Sequence, residues 1–362
     1  MIIMIILRYL AKEIVKTSLA VLLILLLVAI LNKFSSLIAK AALGEIPPYL
    51  LFELILLLIP ELLAFLMPLS LFLGILLAFG KLYAEQEMVA YFACGFGWKG
   101  LTKVAGLMSF IVLFLVAVLT LWGVPVSQNA RESALAGQKI SLALQTLTPG
   151  KFHQVPGKKM VFYFESKDDE THYLEKLFIA EEGLTSGALI SSKTIIAADQ
   201  GKVIEKDGFW YLELQKGHQY KANEVLHFEK YGKLLDSEPA ALPSQYHRNM
   251  PTMQLFSSKQ PSYLAELQWR LSMPLTAPVL AIWGLCLSRV SPREGRFGKI
   301  LPAIFIFIVY FQLLSLSKRW IVAGVLPGFI GVWWVHLMFA AVGILWLLQQ
   351  SGYWQRQRYA QN

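Results

Sequence analysis

The apolar positions of the chain gather into six long runs with little internal polarity. They cover roughly 15–31, 49–79, 104–124, 271–287, 300–316 and 332–348. A helix needs about 20 predominantly apolar residues to cross a bilayer, so each run predicts a spanning helix. The second run, Tyr49–Phe79, would be about 46 Å long at about 1.5 Å per residue. It must tilt, kink or protrude, and Pro60 and Pro68 supply kink points. Between the third and fourth runs the pattern turns polar, and after about Gly150 it becomes strand-like. Met160–Glu165 and Tyr173–Ala180 flank the polar turn Lys167-Asp168-Asp169-Glu170, a hairpin signal. Further strands are predicted at Thr194–Ala198, Gly201–Glu205, Phe209–Leu214 and Gln219–Glu229, with turns at Gly201, Asp207-Gly208 and Lys216-Gly217. Short strands at this spacing predict a sandwich or jelly roll. The expected fold is therefore membrane α-helical, three helices plus three, with an inserted all-β jelly-roll-like domain. Expected boundaries are 1–125 for the first three spans, 126–258 for the β domain with its linkers, and 259–362 for the last three. Thr148-Pro149-Gly150 and Glu238–Pro251 read as linkers.

Composition sharpens this reading. The 362 residues are 56% hydrophobic and 16% charged, against about 25% charged in ordinary globular domains. The net charge of +9 is carried by the hydrophobic parts, because Val126–Ser258 holds 15 basic and 16 acidic residues. A nucleic-acid binder would cluster its basic residues on a polar domain, so that class is excluded. Six crossings put both termini on one side, and the positive-inside rule chooses which. With cytoplasmic termini, the inner flanks hold Arg8, Lys12, Lys16, Lys81, Lys99, Lys103, Arg289, Arg293, Arg296, Lys299, Arg356 and Arg358. The outer flanks hold Lys33, Lys40, Lys318 and Arg319, with Arg131, Lys259 and Arg270 bordering the β segment. Twelve against seven favours this orientation and places the β segment outside. The first run follows Arg8, Lys12 and Lys16 with no small-residue cleavage site after it, and reads as an anchor. The two cysteines, Cys94 and Cys286, border apolar runs and are expected as buried thiols.

Little in the chain points to catalysis, to a metal or to another cofactor. There is no GxxxxGK[ST] phosphate loop. Gly95-Phe96-Gly97-Trp98-Lys99-Gly100 lacks that spacing and reads as a helix-ending turn. No HExxH or CxxC occurs, and His153, His172, His218, His227 and His247 lack metal-like spacing. His336 lies inside the sixth run, and Glu53 and Glu61 lie inside the second, where ionisable groups are costly. The segment Gly80–Gly95 predicts a short amphipathic helix of about 81–95 ended by Gly95. Glu85 and Glu87 stand near its start, where the helix dipole favours carboxylates. Tyr83, Met88, Tyr91 and Phe92 would offer apolar anchors to a partner's groove.

In this loop the sequence resembles a known family. Pro68-Leu69-Ser70-Leu71-Phe72-Leu73-Gly74, Gly80-Lys81-Leu82-Tyr83, Glu85-Gln86-Glu87 and Ala93-Cys94-Gly95 resemble the LptF/LptG (YjgP/YjgQ) permeases of the lipopolysaccharide-export ABC transporter. Arg8-Tyr9-Leu10, Glu45-Ile46-Pro47 and Ser291-Pro292-Arg293-Glu294-Gly295-Arg296 also match, with Ser291 and Glu294 in place of the family's Asn and Gln. The Gly-Lys-Leu-Tyr run and the Ile-Pro pair are more like the F-type than the G-type subunit. The resemblance implies an inner-membrane half-transporter without a nucleotide site of its own. Its partners would be a G-type permease, two cytoplasmic ATPase subunits, a bitopic LptC-like subunit and a periplasmic LptA-like bridge. The cargo, lipopolysaccharide, would enter from the outer leaflet between the first span of one subunit and the fifth of the other. By the same resemblance Glu87 matches the coupling-helix glutamate and Lys33 a lipid-binding lysine. Lys40, Lys318 and Arg319 join Lys33 by position alone, as cations at the outer face for lipid phosphates. The competing readings are a membrane-anchored assembly or lipid-binding scaffold without transport, and an ion-coupled transporter using Glu53 and Glu61.

Overall fold

A computed structural model describes residues 2–42, 46–146, 149–154, 160–167, 173–184, 191–206, 209–221, 224–234, 248–256, 260–290 and 298–351. The chain divides into two compact units. One comprises Met1–Ala39, Pro48–Ser133 and Leu242–Asn362, and the other Lys40–Pro47 and Ala134–Ala241.

The first unit is helical. α1 runs Ile2–Ala42 and α2 runs Leu51–Ala84, entered through a 3-10 turn at Pro48–Leu50. A seven-residue α3, Glu87–Ala93, leads into α4, Trp98–Val118. A π-helical turn at Leu119–Gly123 joins α4 to α5, Val124–Thr146, whose residues from Ala134 onward belong to the second unit. After the β segment come a single turn at Thr252–Leu255, then α6 (Pro261–Leu287), α7 (Ile300–Val322) and α8 (Trp333–Gln350). Among the described residues six helical segments are long and apolar enough to cross a membrane, as the six runs predict. The fourth starts about ten residues earlier than its apolar run, at Pro261, which brings Glu266 and Arg270 inside it.

Two apolar cores hold this unit. Phe72 and Leu76 of α2 meet Leu280 and Trp283 of α6, Phe307 and Tyr310 of α7, and Val335 and Phe339 of α8. The second core joins Leu10 and Ile14 of α1 to Ile75, Phe79 and Leu82 of α2, Leu101 and Val104 of α4, and Ala277 and Ala281 of α6. α1 is held most firmly near its start, and Val21 farther along packs against the first core. Leu10 and Ile14 are fully buried, Glu13 pairs with Lys81 at 3.1 Å, and Ser18 presses on Gly74, where a Cβ would strike its backbone. Above that point Leu19, Leu23, Ile24, Leu27 and Leu31 are exposed. Inside α6, Pro274 removes the N–H that would have served the Arg270 carbonyl one turn below. Thr120 Oγ1 of the π-helical turn lies 3.2 Å from that carbonyl and 2.9 Å from the Val116 carbonyl of its own helix, so its one proton is shared between the two.

The second unit carries one antiparallel sheet. Its strands are β1 (His153–Gln154), β2 (Met160–Tyr163), β3 (Ser166–Lys167), β4 (Leu174–Leu184), β5 (Ser191–Lys206), β6 (Phe209–Lys221) and β7 (Glu224–Leu234). They order β1-β2-β4-β5-β6-β7, with β3 beside β4. The expected hairpin is present as the β2–β4 pairing, with Phe162 opposite Ile179, while Asp168–Glu170 lie outside the described residues. All described strands belong to this one sheet, and one face buries Phe162, Phe164, Leu177, Ile179, Ile196, Leu212 and Leu214.

Two expected turns are absent. Gly201 lies within the continuous β5, where its missing side chain admits Leu177 and Leu214. Lys216-Gly217 lies within β6, and a Cβ on Gly217 would strike the Ala197 carbonyl and the Phe228 ring. Lys176 and Lys216 both take φ 50 opposite Asp199, so the in-out alternation resets along one line across three strands. Cys286 is buried as expected but Cys94 is exposed, because it lies beyond the last turn of α3.

Gly217→Val should therefore destabilise the β unit by about 1–3 kcal/mol, the usual cost of overpacking. Limited proteolysis of the detergent-solubilised chain checks this: cleavage should rise within 150–234 and leave the helical segments protected.

Candidate functional site

The segment between α2 and α4 is an elbow built by three backbone events. α2 stops at Ala84, where the Glu85 N–H bonds back to the Lys81 carbonyl at 2.9 Å. Gln86 adopts a left-handed conformation, φ 62, which a side chain larger than glycine tolerates poorly. α3 then begins at Glu87 and ends before Gly95, whose φ of +78 turns the chain into α4. The expected helix of about 81–95 is thus two pieces, because Gly80–Ala84 complete α2 and the break falls at Gln86.

A seven-residue helix is not stable alone and needs a packed face. Met88 provides it: the side chain is 1% exposed and sits in the core with Leu82, Phe96 and Leu101. Phe96 lies over Gly100 at the start of α4, where a Cβ would clash with the ring. Tyr91 packs edge-on against Phe96 at 6.5 Å between centroids. Its hydroxyl donates to Glu87 Oε2 at 3.2 Å, one turn back along α3. Partial burial, the Glu87 carboxylate and this bond push the Tyr91 phenol up to about 12, so it stays a donor at neutral pH. Glu87 is therefore held in one orientation at the first turn, where the helix dipole favours it.

The expected anchors do not all face outward. Met88 is spent on the chain's own core, Tyr83 is half-buried against Phe92, and Tyr91 is half-buried. Sequence periodicity failed here because it assumed one helix through Gln86, and the left-handed residue rotates the later face. The side chains presented outward include Glu85, Gln86, Val89, Ala90, Phe92 and Ala93, with Val89 68% exposed, and Glu87 is half-buried. Val89 was missed, and the local residues gave no signal of the break, because Glu and Gln are good helix formers.

The basic residues also separate. Lys33 on α1 and Arg319 in the last turn of α7 are exposed, as is Lys40, which belongs to the other unit. Lys318 is not a free surface cation. Its ammonium lies 2.6 Å from Glu266 Oε2 and 4.9 Å above the Trp269 ring. Glu61 lies 3.8 Å from Arg131 of α5, which gives it a cationic neighbour the sequence did not pair with it. His336 is buried, with Nδ1 2.6 Å from the Tyr310 hydroxyl. Among the described residues no cluster of three or more His, Cys, Asp or Glu could hold a metal.

A profile of the lipopolysaccharide export system permease LptF/LptG family matches residues 8–349. The chain belongs to this family. The LptF permease of Escherichia coli K12 is 30% identical over 349 residues, which cover 94% of each protein. LptF of Shigella flexneri matches with the same identity and coverage. As an LptF/LptG permease with six apolar helices and a β insert, the chain is a multi-pass membrane subunit of an export system. The elbow lies within the matched span, as do Lys33, Lys40, Lys318 and Arg319.

Met88→Ala should cost about 2–5 kcal/mol of stability, as for other buried large-to-small changes. Val89→Ala should stay within about 0.5 kcal/mol. Thermal unfolding of the purified permease in detergent distinguishes the two.

Proposed function

We propose that this chain is the F-type permease half of an ATP-driven lipopolysaccharide exporter, with α3 as the segment that docks an ATPase subunit. In this reading it pairs with a G-type permease and two cytoplasmic ATPases in the inner membrane. Lipid passes from the outer leaflet to the β domain, then to a bitopic LptC-like subunit and a periplasmic LptA-like bridge. The observation that carries it is the elbow: a short helix fixed from within by Met88, with Val89 and Phe92 exposed and a half-buried Glu87 bonded to Tyr91 beside them. A rigid apolar knob with one placed carboxylate suits a groove that supplies an Arg or Lys. The charge-assisted bond fixes register, and the apolar side chains give contact area. A rigid elbow also transmits displacement, because α3 is packed against α1, α2 and α4 through one core.

Exposed Lys33, Lys40 and Arg319 serve in this reading as cations for the lipid's phosphates, with Lys33 foremost. Lys318 contributes less, because Glu266 already neutralises it. In this reading both termini and α3 face the cytoplasm and the β unit the periplasm, which the basic bias of the flanks supports.

Reconstitution of the chain with its partner permease and ATPases in vesicles tests the coupling. Glu87→Lys should abolish ATP-driven lipid release, and Glu85→Ala should be milder. A charge reversal in the ATPase groove should restore part of the Glu87→Lys activity. Normal release by Glu87→Lys would overturn the coupling role. ATP-independent lipid handling by the wild type would favour a scaffold.

Topology has its own check. A membrane-impermeant maleimide applied to spheroplasts should label Lys216→Cys in a Cys94→Ser background. It should reach native Cys94 only after permeabilisation. Labelling of both from outside would refute the orientation.

A further inference from the structure

One buried charged centre lies apart from the elbow. Glu266 and Arg270 sit one turn apart on α6, with Arg270 3% exposed. Arg270 Nε donates to Glu266 Oε1 at 3.1 Å. Its other nitrogens leave the helix: Nη1 donates to the Met250 carbonyl and to Thr252 Oγ1, both at 2.9 Å, and Nη2 donates to the Arg248 carbonyl at 2.8 Å. The Thr252 hydroxyl has one proton, and it goes to the Leu121 carbonyl at 2.6 Å, which orients its lone pairs toward Arg270. Glu266 uses its second oxygen for Lys318 of α7. Arg270 therefore binds the chain where it re-enters the helical unit, Thr252 ties that chain to the π-helical turn after α4, and Glu266 is shared between Arg270 and α7.

We infer that Arg270 is a positioning residue that clasps the returning segment 248–256, and that Glu266 makes the clasp responsive to α7 through Lys318. The inference rests on the transport reading only for its consequence: displacement of α7 would be felt by the segment that leads out of the β insert. The physical basis is the shared carboxylate. Withdrawing Lys318 leaves a buried anionic oxygen with its partner gone, and Glu266 must reorient or Arg270 must follow it. A guanidinium can serve two carbonyls, a hydroxyl and a carboxylate from one fixed plane, and a lysine cannot. Three charges inside a spanning segment are costly to keep, and an apolar trio of the same volume would pack helices at least as well. What an apolar trio would lose is the connection between α7 and the 248–256 segment.

The test is hydrogen exchange by mass spectrometry on the full chain in lipid nanodiscs, reading amides 248–256. Lys318→Met should raise their exchange about tenfold or more, although the bond it removes is to Glu266. Glu266→Gln, which preserves shape, should raise the same amides by a smaller factor if Lys318→Met fails to fold. Gln312→Ala, on an exposed position of α7, should leave them unchanged. Exchange altered in α6 and α7 but unchanged at 248–256 would overturn the inference. In the reconstituted exporter, Thr252→Val should keep ATP hydrolysis while lipid release falls severalfold. Normal release despite raised exchange would overturn the clasp's part in transport. Absent release by the wild type would instead count against the transport reading and leave the clasp standing.

Discussion

The burial of α6 on several sides is the constraint from which the helical unit follows. Its 27 residues contribute Leu280 and Trp283 to one core and Ala277, Ala281 and Leu285 to the other. Gly284 lets α2 approach closely, since a Cβ there would press on the Phe72 carbonyl and on Ile75. Helices in lipid gain nothing from hiding apolar surface from water, so small residues and shared hydrogen bonds do the joining. α6 supplies both. Trp283 donates to the Phe339 carbonyl of α8, and Gln268 bonds the Gly328 carbonyl and the Val332 N–H beside it. Pro274 leaves the Arg270 carbonyl without its helical N–H, and the Thr120 hydroxyl approaches it at 3.2 Å. The charged end of the same helix gathers the return segment and α7.

The elbow depends on the second of these cores. α3 has too few residues to persist by backbone bonding, and its direction is set by Met88 packing beside Phe96, Leu82 and Leu101. α1 enters the same core through Leu10 and Ile14 and then runs free of it, with its upper apolar residues exposed. The root of α1, held to α2 by Glu13–Lys81 and by Ser18 against Gly74, thus shares one core with α3.

Much of this was legible in the residues. The six apolar runs, the β insertion, the β2–β4 hairpin and the family were all readable, because each rests on a period or a run longer than any local exception. The family profile and the E. coli relative agree with the motif reading. Errors came where one residue resets a pattern. Gln86 at φ 62 split the expected helix and turned Met88 inward. Gly201 and Gly217 looked like turns but are close-packing sites inside long strands. Lys318 looked like a free outer cation, and nothing local reveals that Glu266, 52 residues away, takes it. Arg270 was counted as a flank charge because its apolar run begins one residue later, and its hub role depends on contacts 18 to 150 residues distant.

In the proposed docking, the face of α3 carrying Val89 and Phe92, and not the Met88 face, meets the ATPase subunit. Site-specific photo-crosslinking in the intact membrane complex tests it most directly. A benzoylphenylalanine at Val89 should capture an ATPase subunit, and one at the half-buried Ile6 of α1, which packs against the same core, should not. Capture from Ile6 but not from Val89, or Val89 adducts with lipid headgroups alone, would contradict the account.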